Sequence, residues 1–177
     1  AEVAEAAAKS KQLAGQVTVE DAKFVALLSF DFGAGSKDRL LNPHAQLNQA
    51  LSQHSVLQLR RVRGVLYGVV RGLRKLGRTE HDVVFCGSAC GHVDATNPAF
   101  APGTELWWPG IVMASTRREA AKKAAGKAGT VFVVRGQGGH KVWGHKLGVC
   151  SFFPSEQQVV LEPGTCFTVS EVRTHGM

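Results

Sequence analysis

The side chains with the most chemistry to offer stand near the C-terminal end, in the run Ser151-Phe-Phe-Pro-Ser-Glu156-Gln157-Gln158. Two β-branched runs follow, Val159 to Leu161 and Thr165 to Val169. They are joined by Glu162-Pro163-Gly164, a pairing of Pro and Gly that turns the backbone between strands. The polar run is thereby delivered to the mouth of a hairpin. Glu156 is a carboxylate, whereas Gln158 can hydrogen-bond but carries no charge. A second constellation, Cys86-X-X-X-Cys90-X-His92, offers thiolates and an imidazole to a soft metal. Its spacing is not a usual finger spacing and no second ligand pair follows, so these cysteines read as buried small hydrophobes and no metal is expected.

A third feature is charge. The chain of 177 residues has a formal net charge of +7, unevenly spread: residues 55 to 146 hold fifteen of the twenty-one Lys and Arg but five of the fourteen acids. That block is an electrostatic footprint for something anionic, or a solvated face that keeps the domain soluble. Its densest part lies between Val56 and Leu76. There Val56, Leu59, Val62, Leu66, Val69, Leu73 and Leu76 recur three and four apart, which predicts a long amphipathic helix. Arg60, Arg61, Arg63, Arg71, Arg74 and Lys75 sit between them, with no acid before Glu80. Gly64, Gly68 and Gly72 share one face of this helix. Each costs about 1 kcal/mol against alanine, so another backbone is expected to pack there.

The elements that must position these groups change character along the chain. Residues 1–16 read as an Ala-rich helix or linker, residues 17–172 as one domain and residues 173–177 as a tail. Thr18-X-X-Asp21 is a capping-box variant, with Phe24, Leu27 and Leu28 continuing at helical spacing. The segment from Asp31 reads as a loop, and Asn42-Pro43 opens a further helix bearing Leu47, Ala50 and Leu51. After the long helix come short β-rich runs: Asp82 to Phe85, Leu106 to Val112, Thr130 to Val134 and Lys141 to Val149, then the hairpin. One helix interrupts them, with a predicted capping box Thr116-X-X-Glu119 and a body from Arg117 to Lys127. Helices followed by strands argue an α+β fold.

Composition bounds the rest. Hydrophobic residues at 44% and charged residues at 20% are ordinary for a globular domain. No apolar run approaches the roughly 20 residues needed to span a bilayer. Four cysteines, Cys86, Cys90, Cys150 and Cys166, are too sparse for a disulfide framework, so an intracellular, reduced protein is expected. The start at Ala1 suggests a domain excised from a longer chain.

The C-terminal run resembles the hallmark of the arginine-specific (clostridial-toxin-like) mono-ADP-ribosyltransferases. In that family a Ser-X-X-Pro-X-Glu-X-Glu-hydrophobic run enters a strand and a Pro-Gly or Pro-Pro turn follows. The likeness extends from Val17 to Val172. Thr18-Val-Glu-Asp-Ala is similar to the start of the family's first helix, and Leu47-Asn48-Gln49-Ala50-Leu51 to its Leu-Asn-X-Ala-Leu segment. Val84-Phe85-Cys86-Gly87 stands where the family has hydrophobic-Tyr-Arg-Gly. Pro109-Gly110-Ile111-Val112-Met113-Ala114-Ser115-Thr116 stands where it has Pro-Gly-Phe-X-Ser-Thr-Ser. The resemblance implies two small, mainly antiparallel sheets packed face to face, with the helices of the first half against one of them.

It also implies roles, and here the chain departs from the family. The strand arginine that holds the NAD phosphates by a planar two-point contact is replaced by Cys86. The serine that steadies the catalytic glutamate is replaced by Met113, with Ser115 two residues on as a stand-in. The catalytic glutamate, which offsets the positive charge of the breaking glycosidic bond, is Gln158. The acid that orients the acceptor arginine survives as Glu156. Val134-Arg135-Gly136 imitates the arginine motif but follows the serine block, in the wrong order. On this mapping a degenerate NAD cleft would be bounded by Cys86, Gly87, Trp108 and Ser151, with at most one of Trp107 and Trp108 in the cleft and the other in the core.

Losing one such electrostatic contribution costs about 10²–10³ in rate, and three are gone. The expectation is therefore an inactive transferase-like domain that needs no cofactor and serves as a binding or assembly module. Its contact surface would be Arg60, Arg61, Arg71, Arg74, Lys75, Arg117 and Lys123, facing an acidic protein or a polyanion such as nucleic acid, with no membrane role. Two alternatives stand beside it: a divergent transferase that still uses NAD, and a basic nucleic-acid-binding module.

Overall fold

A computed structural model describes residues 17–29, 42–53, 55–89 and 97–173. The helix expected in residues 1–16, the loop from Asp31, and Cys90 and His92 lie outside them. Three helices come first: α1 (Val19–Ala26), α2 (Pro43–Ser52) and α3 (Val56–Leu76). Thr18 and Asp21 form the expected capping box, each satisfying the other's backbone N–H. Asn42 Oδ1 accepts from the N–H groups of His44 and Ala45 at the start of α2, with Pro43 placed where a missing N–H costs nothing.

Strands follow: β1 (Thr79–His81), β2 (Val83–Ser88), β3 (Glu105–Trp108) and β4 (Val112–Ser115). Helix α4 (Arg118–Ala125) then separates them from β5 (Thr130–Arg135), β6 (Val142–Lys146), β7 (Gln158–Leu161) and β8 (Thr165–Thr168). Six strands make one antiparallel sheet in the order β1-β6-β7-β4-β2-β5, while β3 and β8 pair in a small second sheet. The fold is α+β, as expected.

Several elements differ from the sequence reading. The run Leu106 to Val112 is two strands in different sheets, broken at Pro109-Gly110. Proline lacks the N–H that a continuous ladder would require. Strand β1 is additional, pairing Thr79, Glu80 and His81 with Gly144, Trp143 and Val142. The capping box at Thr116 does not form: the N-cap is Arg117, without a side-chain cap. Thr116 Oγ1 instead donates to Gln157 Oε1 at 2.7 Å, a partner brought close by tertiary folding.

Two cores lie on opposite faces of the six-stranded sheet. On one, Val25, Leu28, Leu47, Val69 and Leu73 of the helical region cover Ile111, Val160 and the half-buried Met113. On the other, Val84, Cys86, Val112, Ala114, Val159 and Leu161 meet the small sheet through Trp108 and Phe167. Trp108 stacks edge-on with both Phe132 and Phe167, at ring separations of 5.1 and 4.9 Å. Two of the three helix glycines serve as expected. A Cβ on Gly68 would strike the ring of Phe24, and one on Gly72 would strike Val25 and the carbonyl of Asp21. Gly64 is exposed.

One contact ties the helices to the sheet. Asn48 Oδ1 accepts from Ile111 N–H at 2.7 Å while its Nδ2 donates to Ile111 O at 2.8 Å, so a single side chain completes the backbone pairing that β4 lacks just after Gly110. Gly110 leaves room for it, since a Cβ there would lie 2.7 Å from Asn48 Oδ1. The Leu47-Asn48-Gln49-Ala50-Leu51 segment thus has a structural logic: Leu47 and Ala50 are buried, and Asn48 clamps the sheet.

Candidate functional site

Gln158 opens β7, and the chain reaches it through two short 3-10 turns, Gly148–Cys150 and Pro154–Glu156. Gln157, between the second turn and Gln158, is left-handed at φ 48°, which costs a non-glycine residue some strain. Besides the Thr116–Gln157 side-chain bond, three contacts from the neighbouring β4–α4 junction hold this turn. Ser115 Oγ donates to Glu156 O at 2.5 Å, Thr116 N–H donates to Gln157 O at 3.3 Å, and Arg117 donates a guanidinium N–H to Ser155 O at 2.8 Å.

The side chain of Gln158 is fixed at both ends. Ser151, only 2% exposed, accepts from Phe153 N–H at 2.8 Å, which leaves its hydroxyl proton for Gln158 Oε1 at 2.6 Å. Gln158 Nε2 then faces Glu156 Oε2 at 3.0 Å, the orientation an amide takes beside a carboxylate. The other oxygen of Glu156 accepts from Lys123 Nζ at 3.2 Å. Lys123 comes from α4 and also sits over the ring of Phe153, 5.8 Å from its centre. The result is a chain of partners: Ser151, Gln158, Glu156, Lys123. A lysine offsets the carboxylate, and an amide occupies the position expected for the second acid.

Ser115 is the direct cross-strand partner of Gln158, as a stand-in for the missing serine would be. Its hydroxyl nevertheless goes to the Glu156 carbonyl, and it accepts from Arg117 N–H at 2.8 Å. The residue that steadies Gln158 is Ser151. Its signal was present in the sequence as the first serine of the Ser-X-X-Pro-X-Glu run.

The other mapped positions are not brought to this site. Cys86 points into the core between the two sheets with Val84, Ala114 and Val159, and burial pushes its thiol up to about 11. Trp108 faces the same core, and Trp107 is exposed, so neither lines a cleft beside Gln158. Gly87 is covered by α4, where a Cβ would lie 2.0 Å from the carbonyl oxygen of Ala121. Met113 packs toward the helices. Of the four residues expected to bound a cleft, Ser151 alone stands with Gln158. The reason is strand parity: alternate residues face opposite sides, and Cys86 falls on the wrong one.

The basic surface is also divided. Arg71 Nε donates to Asp21 Oδ1 and Lys75 Nζ to Asp21 Oδ2, both at 2.6 Å, and Asp21 is fully buried. Burial opposes the charge on Asp21, and hydrogen bonds from Lys75, Thr18 and Arg71 outweigh it, holding the carboxyl well below the ordinary range. Arg71 and Lys75 are thus structural ion-pair partners rather than free contact residues. Arg117 and Lys123 are engaged at the turn, as above. Arg60, Arg61 and Arg74 are exposed, and none makes an ion pair among the described residues. Among these residues no group of His, Cys, Asp and Glu could hold a metal ion, and no helix is long and apolar enough to cross a membrane.

No protein-family profile matches the chain, and no curated protein sequence does. Solved structures do. The ADP-ribosyltransferase HopU1 of Pseudomonas syringae pv. tomato is similar with a TM-score of 0.70 at 12% identity, over 94% of this chain and 78% of that one. The Vis toxin, an ADP-ribosyltransferase from Vibrio splendidus, gives 0.62 at 15% identity over 98% and 76%. Exoenzyme S of Pseudomonas aeruginosa, bound to carba-NAD in complex with human 14-3-3 protein beta, gives 0.54 at 16% identity over 93% and 77%. At these identities the likeness shows the fold: the chain has an ADP-ribosyltransferase-like architecture.

Proposed function

We propose that this domain is a degenerate member of the arginine-specific transferases, which no longer transfers ADP-ribose and acts as a binding or assembly module for an anionic or acidic protein partner. The observation that carries this reading is the state of Gln158. Its amide is satisfied by Ser151 and Glu156, and the Glu156 carboxylate is offset by Lys123. A transferase of this fold needs a carboxylate where positive charge develops on the ribose, and a carboxamide supplies none. Loss of such stabilisation costs about 10²–10³ in rate. A guanidinium to hold the NAD phosphates is also missing at the family position, because Cys86 is both the wrong residue and on the wrong face.

In this reading the contact surface is Arg60, Arg61 and Arg74 on α3, which are exposed and make no ion pair among the described residues. That a domain of this fold can engage a protein partner is seen in exoenzyme S with 14-3-3 protein beta. The competing reading, a divergent enzyme that still uses NAD, rests on the survival of Glu156 and on similarity to structures of transferases, one of them bound to carba-NAD.

Two measurements on the purified chain separate the readings. Calorimetric titration with NAD is expected to give no saturable heat. Incubation with labelled NAD and an arginine-rich acceptor protein is expected to give neither transfer nor NAD hydrolysis above background. Incorporation that disappears on Glu156→Ala would overturn the proposal and establish the enzyme.

A further inference from the structure

Strand β7 carries Gln158 at one end, and Glu162 lies just beyond the other, roughly 13 Å away along an extended chain. At the Glu162 end a cavity opens, with a volume of about 310 Å³, lined by Arg78, Arg135, Lys141, Trp143, Glu162 and Phe167 among others. Small-molecule sites begin at about 300 Å³. None of this lining belongs to the Gln158 cluster.

Its floor is built rather than incidental. Glu162 accepts from Arg78 at 2.6 Å through one oxygen and faces His145 Nε2 at 2.8 Å through the other, while His145 Nδ1 faces Gly77 O at 2.7 Å. The imidazole is 2% exposed, so Glu162, and Arg78 through it, are anchored to a buried ring. The His145 hydrogen bond, against the cost of burial, holds the Glu162 carboxyl below its ordinary value, with Arg78 adding to the effect. The rim is cationic. Lys141 is shared with the exposed Asp82, and Arg135 has no ion-pair partner among the described residues. Arg78 is paired with Glu162 and Lys141 with Asp82 just outside the lining, so the three cations exceed the two carboxylates by one positive charge. Beside them Trp143 leaves 55% of its surface in water, an unusual exposure for a large ring on a strand.

The geometry points to a binding site for a small organic phosphate bearing a flat ring, its phosphate against Arg135, Lys141 and Arg78 and its ring against Trp143. Guanidinium groups recognise phosphate oxygens by paired hydrogen bonds, and an exposed indole offers a stacking face. The one excess charge draws a phosphate group, for which Lys141 would exchange its exposed partner Asp82. A nucleoside monophosphate and a phosphorylated phenol both present this chemistry. The inference stands apart from the loss of transferase activity and survives if that reading fails.

Calorimetry on the intact chain tests it with adenosine monophosphate, phenyl phosphate, inorganic phosphate and adenosine as probes. One of the first two should saturate at a single site below about 1 mM, with the other weaker, which identifies the source of the ring. Inorganic phosphate and adenosine should each bind at least about tenfold more weakly than the preferred probe. Arg135→Gln and Trp143→Ala should each weaken that probe by about fivefold or more, and circular dichroism of these surface variants should match the parent. Gln158→Ala should leave binding unchanged. The assignment is overturned by no saturation with any probe, by binding indifferent to both rim substitutions, or by binding lost on Gln158→Ala, which would place the ligand in the degenerate cleft.

Discussion

Cys86 and Gln158 lie on opposite faces of one sheet. Gln158 pairs with Ser115, and Ser115 pairs with Phe85, so these three side chains point the same way and Cys86, next to Phe85, points the other. A linear motif match places Cys86 in a phosphate-binding role. The strand register places it in a core with Val84, Ala114 and Val159.

The first prediction follows from that register. Cys86→Arg installs the residue type that the resemblance places there but drives a guanidinium into a packed apolar layer of Val84, Ala114 and Val159. It should destabilise the domain by about 3 kcal/mol or more, read as a shift in the denaturant midpoint, and should create no NAD affinity. A folded, stable Cys86→Arg variant that binds NAD would show that the register is wrong.

The second concerns Ser151, which connects the backbone of Phe153 to the amide of Gln158. Ser151→Ala leaves the half-buried Gln158 Oε1 and the backbone N–H of Phe153 without these partners, at a cost of about 1 kcal/mol or more in unfolding free energy. Ser155→Ala, at an exposed position whose carbonyl alone is used, should cost less than about 0.5 kcal/mol. Equal effects would remove the special role given to Ser151.

Much of the fold was legible because it rests on local chemistry. The capping box at Thr18, the proline after Asn42 and the apolar spacing from Val56 to Leu76 each act within a few residues, and each element formed where expected. Strand β1 was not legible, because Thr79 to His81 has no alternation of its own and becomes a strand through pairing with β6. The site was half legible. Glu156 and Gln158 are brought together as their spacing suggests, but the face on which Cys86 falls depends on pairing across three strands. The partners of Arg71 and Lys75 lie fifty residues away or more in sequence, in a buried Asp21 that a charge count treats as one more surface acid.

The third prediction uses that ion pair. Arg71→Glu sets a second acid against buried Asp21 and should cost about 1–3 kcal/mol, less than for a fully enclosed pair because Arg71 is 36% exposed and Lys75 remains. Arg74→Glu, one turn along but directed to solvent, should be close to neutral in the same denaturant titration.

The fourth concerns pH. Burial lowers the His44 pKa from its ordinary 6.5, with a contact to Ile111 O opposing, so the folded domain favours the neutral ring. The unfolded chain then takes up a proton more readily, and stability should fall as pH drops from about 6.5 through the lower folded value. Asp21 acts in the same direction further down: its folded pKa is depressed, so its contribution is present above the ordinary 3.8 and lost as pH falls below it. Thermal midpoints measured from pH 7.5 to 3 should show both limbs. The upper should flatten in His44→Gln and the lower in Asp21→Asn, and a profile unchanged by either substitution would contradict these assignments.

The last prediction concerns the partner surface, which the Asp21 ion pair narrows. Arg71 and Lys75 are committed within the fold, so a charge-reversal test that includes them confounds binding with stability. The informative set is Arg60, Arg61 and Arg74, exposed on α3 with no carboxylate paired to them among the described residues. Reversing these three to Glu should leave the unfolding midpoint nearly unchanged while abolishing affinity for an acidic partner. Because screening shortens to about 8 Å at physiological ionic strength, that affinity should fall steeply with added salt. A nucleic acid would instead show length-dependent, sequence-blind binding, with the log–log salt slope growing by about one for each phosphate contacted. Saturable one-to-one binding to an acidic protein, lost on triple reversal and weakened by salt, supports the assembly reading. Binding indifferent to both would leave the arginines as a solvated face and return attention to the Ser151–Gln158–Glu156–Lys123 cluster.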